Sequence, residues 1–360
     1  MRILYVITSF RIGGAERLTT NLLPLLKTAG IDVEVSVFDA TPTQFLSEVE
    51  SSGITIHKLG LGFKSMYNPL HIYRLRRLIS KNKYDIIHTH NSSCQLFTAI
   101  ATKISRTIPM LITTEHNTNN RRRYWKWYKT IDRWMYDQYD SIVCCSDSVK
   151  LNLEGSCIIK DNGKLHTISN GIEIPPSTIE HVNLTGRAVV MVSGFRPQKD
   201  HLTAVKAMAY LPDDVHLYFA GEGTTIESVK DFVTKSNLDS RIHFLGNVDN
   251  VSALFASARC ALLSTHYEGM PLSIIEAMAS GTPVIASAVP GVTEIVADAG
   301  LLFPESDPKA FAESILRVID DSPERTRLIA AGLKRAANYD IKNTAKQYIN
   351  LYTNLISKHK

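Results

Sequence analysis

Apolar residues fall in short continuous runs along the chain, separated by segments in which apolar positions recur every three or four residues. The runs Ile3–Ile7, Asp32–Val37, Ile54–Lys58, Asp85–Thr89, Met110–Thr113, Ser141–Cys145 and Lys164–Ile168 have the length of strands. Several are unbroken Val/Ile/Leu stretches, the pattern of strands covered on both faces of a parallel sheet. Ala15–Ala29, Leu70–Ser80 and Tyr124–Gln138 lie between them with helical spacing. Such alternation predicts a doubly wound α/β domain. From Ile172 to Gly186 periodicity is lost around Pro175-Pro176, which reads as a linker. Strand-length runs then resume at Ala188–Val192, His216–Ala220, Arg241–Leu245, Ala261–Leu263 and Val284–Ala286, each followed by a helical pattern. Three helical patterns close the chain: Pro308–Ile319, Pro323–Ala337 and Asn343–Ile356. Two α/β domains in series predict a cleft between them.

Composition agrees with this picture. At 360 residues, 44% hydrophobic and 21% charged, the chain has the length of two domains with sizeable cores. It holds no apolar run of about 18 residues, so no membrane-spanning helix is expected. Met1–Thr8 reads as a first buried strand, too short and too soon polar for a signal peptide. Cys94, Cys144, Cys145, Cys157 and Cys260 show no metal-ligand spacing and read as small buried hydrophobes in a reducing cytoplasm. The net charge of +5 is uneven: residues 1–175 carry 22 Lys/Arg against 15 Asp/Glu, or +7, leaving 18 against 20, or −2, for the rest. A basic first half points to an anionic partner there, and no nucleic-acid recognition motif accompanies it.

The candidate chemistry collects after strands. Cys260-Ala-Leu-Leu-Ser runs into a loop with Glu268, Gly269 and Pro271, then a helix from about Leu272 to Ser280, with Glu276 one turn inside. A helix N-terminus suits an anion, Gly269 permits close backbone approach, and Glu276 tilts back towards the loop. Spacing alone also fits an ordinary loop carboxylate and a helix-start glutamate. Gly13-Gly14 occupies the first strand-to-helix turn without a GxGxxG or P-loop pattern, and turn chemistry would explain it equally. Glu115 and His116 follow another strand. Arg196 and Lys199 open a helix in the second domain, where their charge opposes the helix dipole and therefore suggests a bound anion.

In order, Gly13-Gly-Ala-Glu16, Thr114-Glu-His-Asn117, Ser169-Asn-Gly-Ile172, Arg196-Pro-Gln-Lys-Asp200, Phe244-Leu-Gly-Asn-Val248 and the E-x7-E pair Glu268/Glu276 resemble a family-4 retaining glycosyltransferase of the GT-B fold. The resemblance spans nearly the whole chain. It implies two Rossmann-like domains facing each other across a cleft: an acceptor domain over residues 1–175, a nucleotide-sugar domain over 176–340, and a C-terminal helix over 341–360 packing back on the first. It implies Glu276 on the ribose and Glu268 on the transferred sugar. The amides of Gly269, Met270, Pro271 and Leu272 (proline contributing only its carbonyl and ring) would serve sugar and phosphates. Lys199 and an arginine would meet the diphosphate, Gly246 and Val248 the base, Gly13 and Gly14 the phosphates and acceptor, and His116 the donor sugar. The family pattern places that arginine five residues before the lysine. Here the position is Gly194, with Arg196 two residues later.

The resemblance further implies a retaining hexosyl transfer from a nucleotide-diphosphate sugar to a glycan, with a lipid-linked oligosaccharide for surface polysaccharide as the expected acceptor. Glu276 on the ribose leaves Glu268 without a glycosidase-type partner. No DxD-type site is visible, Asp213-Asp214 and Asp320-Asp321 reading as solvated pairs, so the reaction is expected to need no metal and no cofactor. The alternatives are a GT-B nucleotide-sugar epimerase and a non-catalytic sugar-nucleotide-binding subunit. Finally, Arg122, Lys126, Lys129 and Arg133 form one helical stripe flanked by Trp125 and Tyr136, opposite Tyr124, Trp127, Tyr128, Ile131, Trp134 and Met135. Either an anionic membrane surface or plain solvent suits that stripe. Arg74, Arg76, Arg77, Lys81 and Lys83 add a second basic cluster, consistent with a cytoplasmic protein peripheral on the inner face of a membrane.

Overall fold

The computed structural model describes residues 1–105, 109–116, 126–156, 158–159 and 161–359. The chain divides into two compact units, Met1–Gly171 with Ile341–Lys360, and Ile172–Asp340. In the first unit β1 (Arg2–Ser9), β2 (Asp32–Asp39), β3 (Thr55–Lys58), β4 (Ile86–His90), β5 (Met110–Glu115), β6 (Ser141–Cys144) and β7 (Leu165–Thr167) form one parallel sheet in the order β3-β2-β1-β4-β5-β6-β7. Helices α1 (Gly14–Thr28), α2 (Gln44–Ser51), α3 (Leu70–Lys81), α4 (Ser92–Lys103), α5 (Lys126–Asp137) and α6 (Asp147–Gly155) join them.

The second unit repeats the plan. Its strands β8 (Arg187–Val192), β9 (Val215–Ala220), β10 (Ile242–Phe244), β11 (Cys260–Leu263), β12 (Val284–Ser287) and β13 (Gly300–Phe303) form a parallel sheet ordered β10-β9-β8-β11-β12-β13. The connecting helices are α7 (His201–Ala207), α8 (Ile226–Lys235), α9 (Val251–Ala256), α10 (Leu272–Ala279), α11 (Thr293–Val296), α12 (Pro308–Asp320) and α13 (Ser322–Ala336). Both sheets are the doubly wound type that the apolar runs predict. The strand that the runs do not predict is β13. It is a four-residue edge strand, Gly-Leu-Leu-Phe, with Leu302 partly in solvent and no β-branched residue to mark it.

Strand order sets the place of chemistry. In each unit the winding reverses once, between β1 and β4 and between β8 and β11. The loops leaving the carboxyl ends there diverge to opposite faces and open a crevice that no crossover covers.

The last helix, α14 (Ile341–His359), belongs to the first unit and lies against α1. Its Tyr348 and Tyr352 are fully buried in the core that Tyr5, Leu18, Leu22 and Val35 build. Four thiols, Cys94, Cys144, Cys145 and Cys260, are buried. Among the described residues, no helix is long and apolar enough to cross a membrane.

The basic stripe assigned to α5 changes in one respect. Lys129 and Arg133 are exposed, but Tyr136 is buried and its hydroxyl donates to Glu115 Oε1 at 2.7 Å, so it does not flank the stripe. The ring has gone where a buried carboxylate needs a donor. Asn117, Arg122, Tyr124, Trp125 and Cys157 lie outside the described residues.

Candidate functional site

In the second unit, four loops at the carboxyl ends of β8, β9, β10 and β11 are tied together by backbone bonds. Phe195 N–H donates to Glu222 O at 2.9 Å, Gly221 N–H to Gly246 O at 2.6 Å, His266 N–H to Gln198 O at 3.0 Å and Asp200 N–H to Ser264 O at 3.0 Å. Arg196, Lys199, Gly246, Val248 and Glu268 through Leu272 all sit on this stitched edge, so the structure gathers the predicted second-domain residues around one switch point. His201 braces it from below, its ring stacked on Phe195 at 4.0 Å between centroids and its Nε2 3.0 Å from Ser193 Oγ. Burial holds His201 at about 4, so it is a neutral prop.

The central contact is an ion pair. The Lys199 ammonium donates to Glu268 Oε1, which also accepts from Thr265 Oγ1 at 2.9 Å. Their side chains are only 15% and 8% exposed. A carboxylate so buried stays charged only beside a cation and a hydrogen bond. Lys199 and Glu268 are thus one constellation rather than two independent contacts. Just beyond, Pro271 occupies the N-cap of α10 and offers no side-chain cap. The first-turn amides of α10 and its positive dipole end are what an anion would use there. Glu276 is half-buried one turn in.

Arg196 lies next to the departure at Gly194. A Cβ built at Gly194 would lie 3.6 Å from Arg196 Nε and 3.5 Å from Glu222 O, ordinary contact distances. The Arg196 side chain therefore folds back beside the position where the family pattern has its arginine.

Two glycines of this edge stand outside the motifs read from the sequence. Gly291 has φ +82, and a Cβ there would sit 2.2 Å from Glu268 O and 3.2 Å from Gly269 O. Its bare backbone is what the Glu268–Gly269 loop rests on. Gly223, in Gly221-Glu-Gly223, has φ +156 and would bring a Cβ within 2.2 Å of Phe195 O. The signal available was the Pro290-Gly291 and Gly-x-Gly spacing directly after strands.

The first unit is furnished differently. Gly13 is extended at φ −176, so its backbone conformation does not require glycine; a Cβ would instead meet Glu16 Oε2 at 2.3 Å. Gly14 starts α1 and is exposed. Arg11, in the same turn, is held by Asp39 at 2.9 Å. Across the switch point Asn91 takes φ 72, ψ 149, a region costly for any residue but glycine. Its Nδ2 donates to Thr8 Oγ1 at 2.9 Å, tying the ends of β1 and β4 together.

Beyond β5, the candidate His116 is half-buried, and its Nε2 lies 2.9 Å from Nδ1 of the fully buried His90. His90 stacks on His116 at 5.2 Å and on Tyr5 at 5.5 Å, and its ring is tilted against His88 at 4.6 Å. His88 bonds Tyr352 at its Nδ1 and Thr114 at its Nε2, both at 2.7 Å, and Thr114 bonds Tyr348 at 3.0 Å. Burial lowers His116 to about 4 and His88 to about 3, with His90 well below its ordinary value. The whole set is neutral near pH 7. Glu115, grouped with His116 from its sequence position, is instead enclosed: Tyr136 and Gln95 both donate to its Oε1.

The acidic pairs are exposed, as read, and make surface contacts. Arg187 bonds both Asp214 oxygens at 2.7 Å and Asp320 Oδ1 at 2.8 Å. Among the described residues, no group of three or more His, Cys, Asp or Glu is arranged to hold a metal ion. A groove of about 680 Å³ between the start of β5, β7 and α14, lined by Met110, Lys164, His166, Asn350 and Asn354, contains none of the candidate residues.

Residues 12–174 match the family model described as Glycosyltransferase Family 4, and residues 178–335 match that of glycosyl transferases group 1. The chain is 24% identical over 335 residues, 86% of each chain, to the UDP-Gal:alpha-D-GlcNAc-diphosphoundecaprenol alpha-1,3-galactosyltransferase of Escherichia coli. It is likewise 24% identical over 374 residues, 98% of each chain, to a Campylobacter jejuni alpha-1,4-N-acetyl-D-galactosaminyltransferase whose named acceptor is a diNAcBac-PP-undecaprenol glycan. Among solved structures, Anabaena HepE in complex with UDP-glucose superposes with TM-score 0.83 at 19% identity, over 98% of this chain and 100% of that one.

Proposed function

This chain belongs to the family 4 glycosyltransferases of the GT-B fold, and on that premise we propose that it moves a hexosyl group from a nucleoside-diphosphate sugar to a lipid-linked glycan in surface polysaccharide synthesis, with retention of configuration and without metal or cofactor. The undecaprenol-linked acceptors named for its relatives support the acceptor class, and the UDP-glucose bound to its structural neighbour supports the donor class. On this reading the enzyme works in the cytoplasm, peripheral on the inner face of the membrane.

The observation that carries the proposal is the buried Lys199–Glu268 pair beside the start of α10, whose N-cap residue Pro271 offers no side-chain cap. Lys199 has three N–H donors and spends one on Glu268, leaving two for phosphate oxygens. As the anomeric carbon–phosphate oxygen bond breaks, charge grows on the diphosphate. Lys199, Arg196 and the α10 amides stabilise that charge more than they stabilise the ground state. The acceptor oxygen bonds to the anomeric carbon on the face the diphosphate leaves, and its proton passes to a leaving-phosphate oxygen. Glu268, oriented by Lys199 and Thr265, accepts hydrogen bonds from the sugar hydroxyls. Glu276 takes the ribose hydroxyls, Gly246 and Val248 border the base, and Gly13 and Gly14 border the phosphates and acceptor. His116, neutral, meets the sugar with an uncharged nitrogen, which avoids placing a second full cation beside an oxocarbenium-like centre.

Purified protein with donor and an undecaprenyl-diphosphate-linked glycan acceptor should form product with the donor's anomeric configuration, at full rate in EDTA. Loss of activity in EDTA with rescue by Mg²⁺ or Mn²⁺ overturns the metal-independent scheme. Conversion of the donor sugar with no acceptor present would identify an epimerase instead. Glu276→Ala should raise the donor KM about tenfold or more, the loss of a hydrogen-bonded charged group.

A further inference from the structure

We propose that residues 61–81 form the surface by which the first unit lies on an anionic lipid bilayer. Leu61, Phe63, Tyr67, Leu70 and Tyr73 are 73%, 62%, 65%, 59% and 62% exposed. Other exposed large hydrophobics, such as Ile104, Leu151, Val182 and Tyr210, are scattered singly along the chain. Five within thirteen consecutive positions are a patch, and patches of that kind mark interaction surfaces.

The patch is held outward by its own foundations. Ser65 Oγ donates to Phe38 O at 2.7 Å, and His71 Nε2 bonds Ser65 O at 2.7 Å while its ring stacks on Phe38 at 4.3 Å. Gly62 N–H donates to Asp39 Oδ1 at 2.7 Å, and Ala40 N–H to Gly60 O at 2.9 Å. The loop is thus fastened to the end of β2 from beneath, and Met66, His71, Leu75 and Ile79 supply its buried side. The apolar side chains that remain outside are displayed on a rigid base.

Charge selects the partner. From Ser51 to Tyr84 the chain contains no Asp or Glu. Lys64, Arg74, Arg76, Arg77, Lys81 and Lys83 are exposed around the patch. On α3, Leu70, Tyr73, Arg77 and Lys81 fall at helical spacing along one outward stripe, apolar at its start and basic at its end. Tyr and Phe at headgroup depth with Lys and Arg reaching lipid phosphates is the chemistry of an interfacial helix. A protein partner would be expected to meet fewer charges of one sign around so much apolar surface.

The surface is also wired to the candidate site. Asp39, which holds Gly62, uses its other oxygen to hold Arg11 in the β1–α1 turn beside Gly13 and Gly14. A bilayer at 61–81 would therefore have a fixed position relative to that turn. The inference deepens the lipid-linked acceptor reading, but its test is read without the reaction.

The experiment is co-sedimentation of the full chain with vesicles of equal parts phosphatidylglycerol and phosphatidylcholine, against phosphatidylcholine alone. Wild type should pellet with the anionic vesicles and lose about tenfold in partitioning as salt is raised. Arg76→Glu with Arg77→Glu should lose at least about tenfold at low salt. Phe63→Ser with Tyr67→Ser should lose about tenfold at every salt concentration. Lys129→Glu with Arg133→Glu, on α5, should bind as wild type. Equal binding by wild type and both patch variants, or loss only in the α5 variant, overturns the proposal. So does a lipid-free dimer that the patch variants convert to monomer, which would assign the face to a second copy. Donor binding by thermal shift in the patch variants should match wild type. Its failure there would count against the separateness of site and surface, whereas vesicle binding can fail with donor binding intact.

Discussion

The two units share one winding plan and use it for opposite electrostatic ends. At the β8/β11 switch point the structure buries a full ion pair, Lys199–Glu268, and rests it on glycine turns that bring backbone close. At the β1/β4 switch point it gathers neutral donors and acceptors: buried His88 and His90 and half-buried His116, with Tyr348, Tyr352 and Thr114. In the first unit burial leaves the histidines uncharged, whereas in the second two opposite charges are set against each other. Fold alone therefore does not set what a switch point binds. A paired cation with spare donors suits a diphosphate, and an uncharged ring suits a sugar whose anomeric carbon becomes positive.

The sharpest way to break this comparison is to unpair the ion pair. Glu268→Ala strands a buried ammonium, so turnover should fall about a hundredfold or more, with stability lowered by about 3 kcal/mol. Glu268→Gln keeps an acceptor for Lys199 and should recover most of the stability but little of the turnover. Equal turnover in Glu268→Ala and wild type would show that the pair is structural only. Thermal denaturation alongside steady-state kinetics separates the two effects.

A smaller effect tests the displaced arginine. Arg196→Ala should reduce kcat/KM about tenfold, roughly what one charge-assisted hydrogen bond contributes. Adding Gly194→Arg to Arg196→Ala should restore most of it, because a Cβ at 194 makes only ordinary contacts, 3.5 Å from Glu222 O and 3.6 Å from where the Arg196 Nε stood. No recovery in the double variant would mean that Arg196 acts elsewhere.

The smallest expected effect is on acid stability. His88 and His116 titrate near 3 and 4 when folded, against an ordinary value of 6.5 when unfolded. Between those limits the unfolded chain binds more protons, so stability is full above about pH 6.5 and is lost as pH falls towards 4. His88→Asn, which offers hydrogen bonds but does not titrate, should lessen that slope by about one proton's worth. An unchanged slope in urea denaturation across this range would remove the neutral-network description.

How much of the molecule was legible depends on the range of the interactions. Continuous apolar runs mark buried parallel strands whatever the partner, so all the strands but β13 could be read locally. β13 is four residues, Gly-Leu-Leu-Phe, with no β-branched residue to mark it as a strand. Glu268, Gly13-Gly14 and His116 stood out because each follows a strand, where an α/β sheet presents its loops, and Glu276 because it lies one turn inside the helix that follows. The role of Asp39 had no local signal: it joins Arg11 to Gly62, and those partners lie 28 and 23 residues away. Tyr136 looked interfacial on a helical wheel, but the wheel does not show Glu115 waiting for a donor.

By itself, then, the sequence determined the two α/β units, their family and the set of side chains available for chemistry, because these come from periodicity, turn residues and motif order. Only the tertiary structure decided that Lys199 and Glu268 act as a pair, that Gly291 carries their loop and that His116 rests on His90 and thence near Tyr352. These links join residues 69 and 264 positions apart in the cases of Lys199–Glu268 and His88–Tyr352. Burial sets their charge states, and burial is a property of the folded neighbourhood rather than of any stretch of chain.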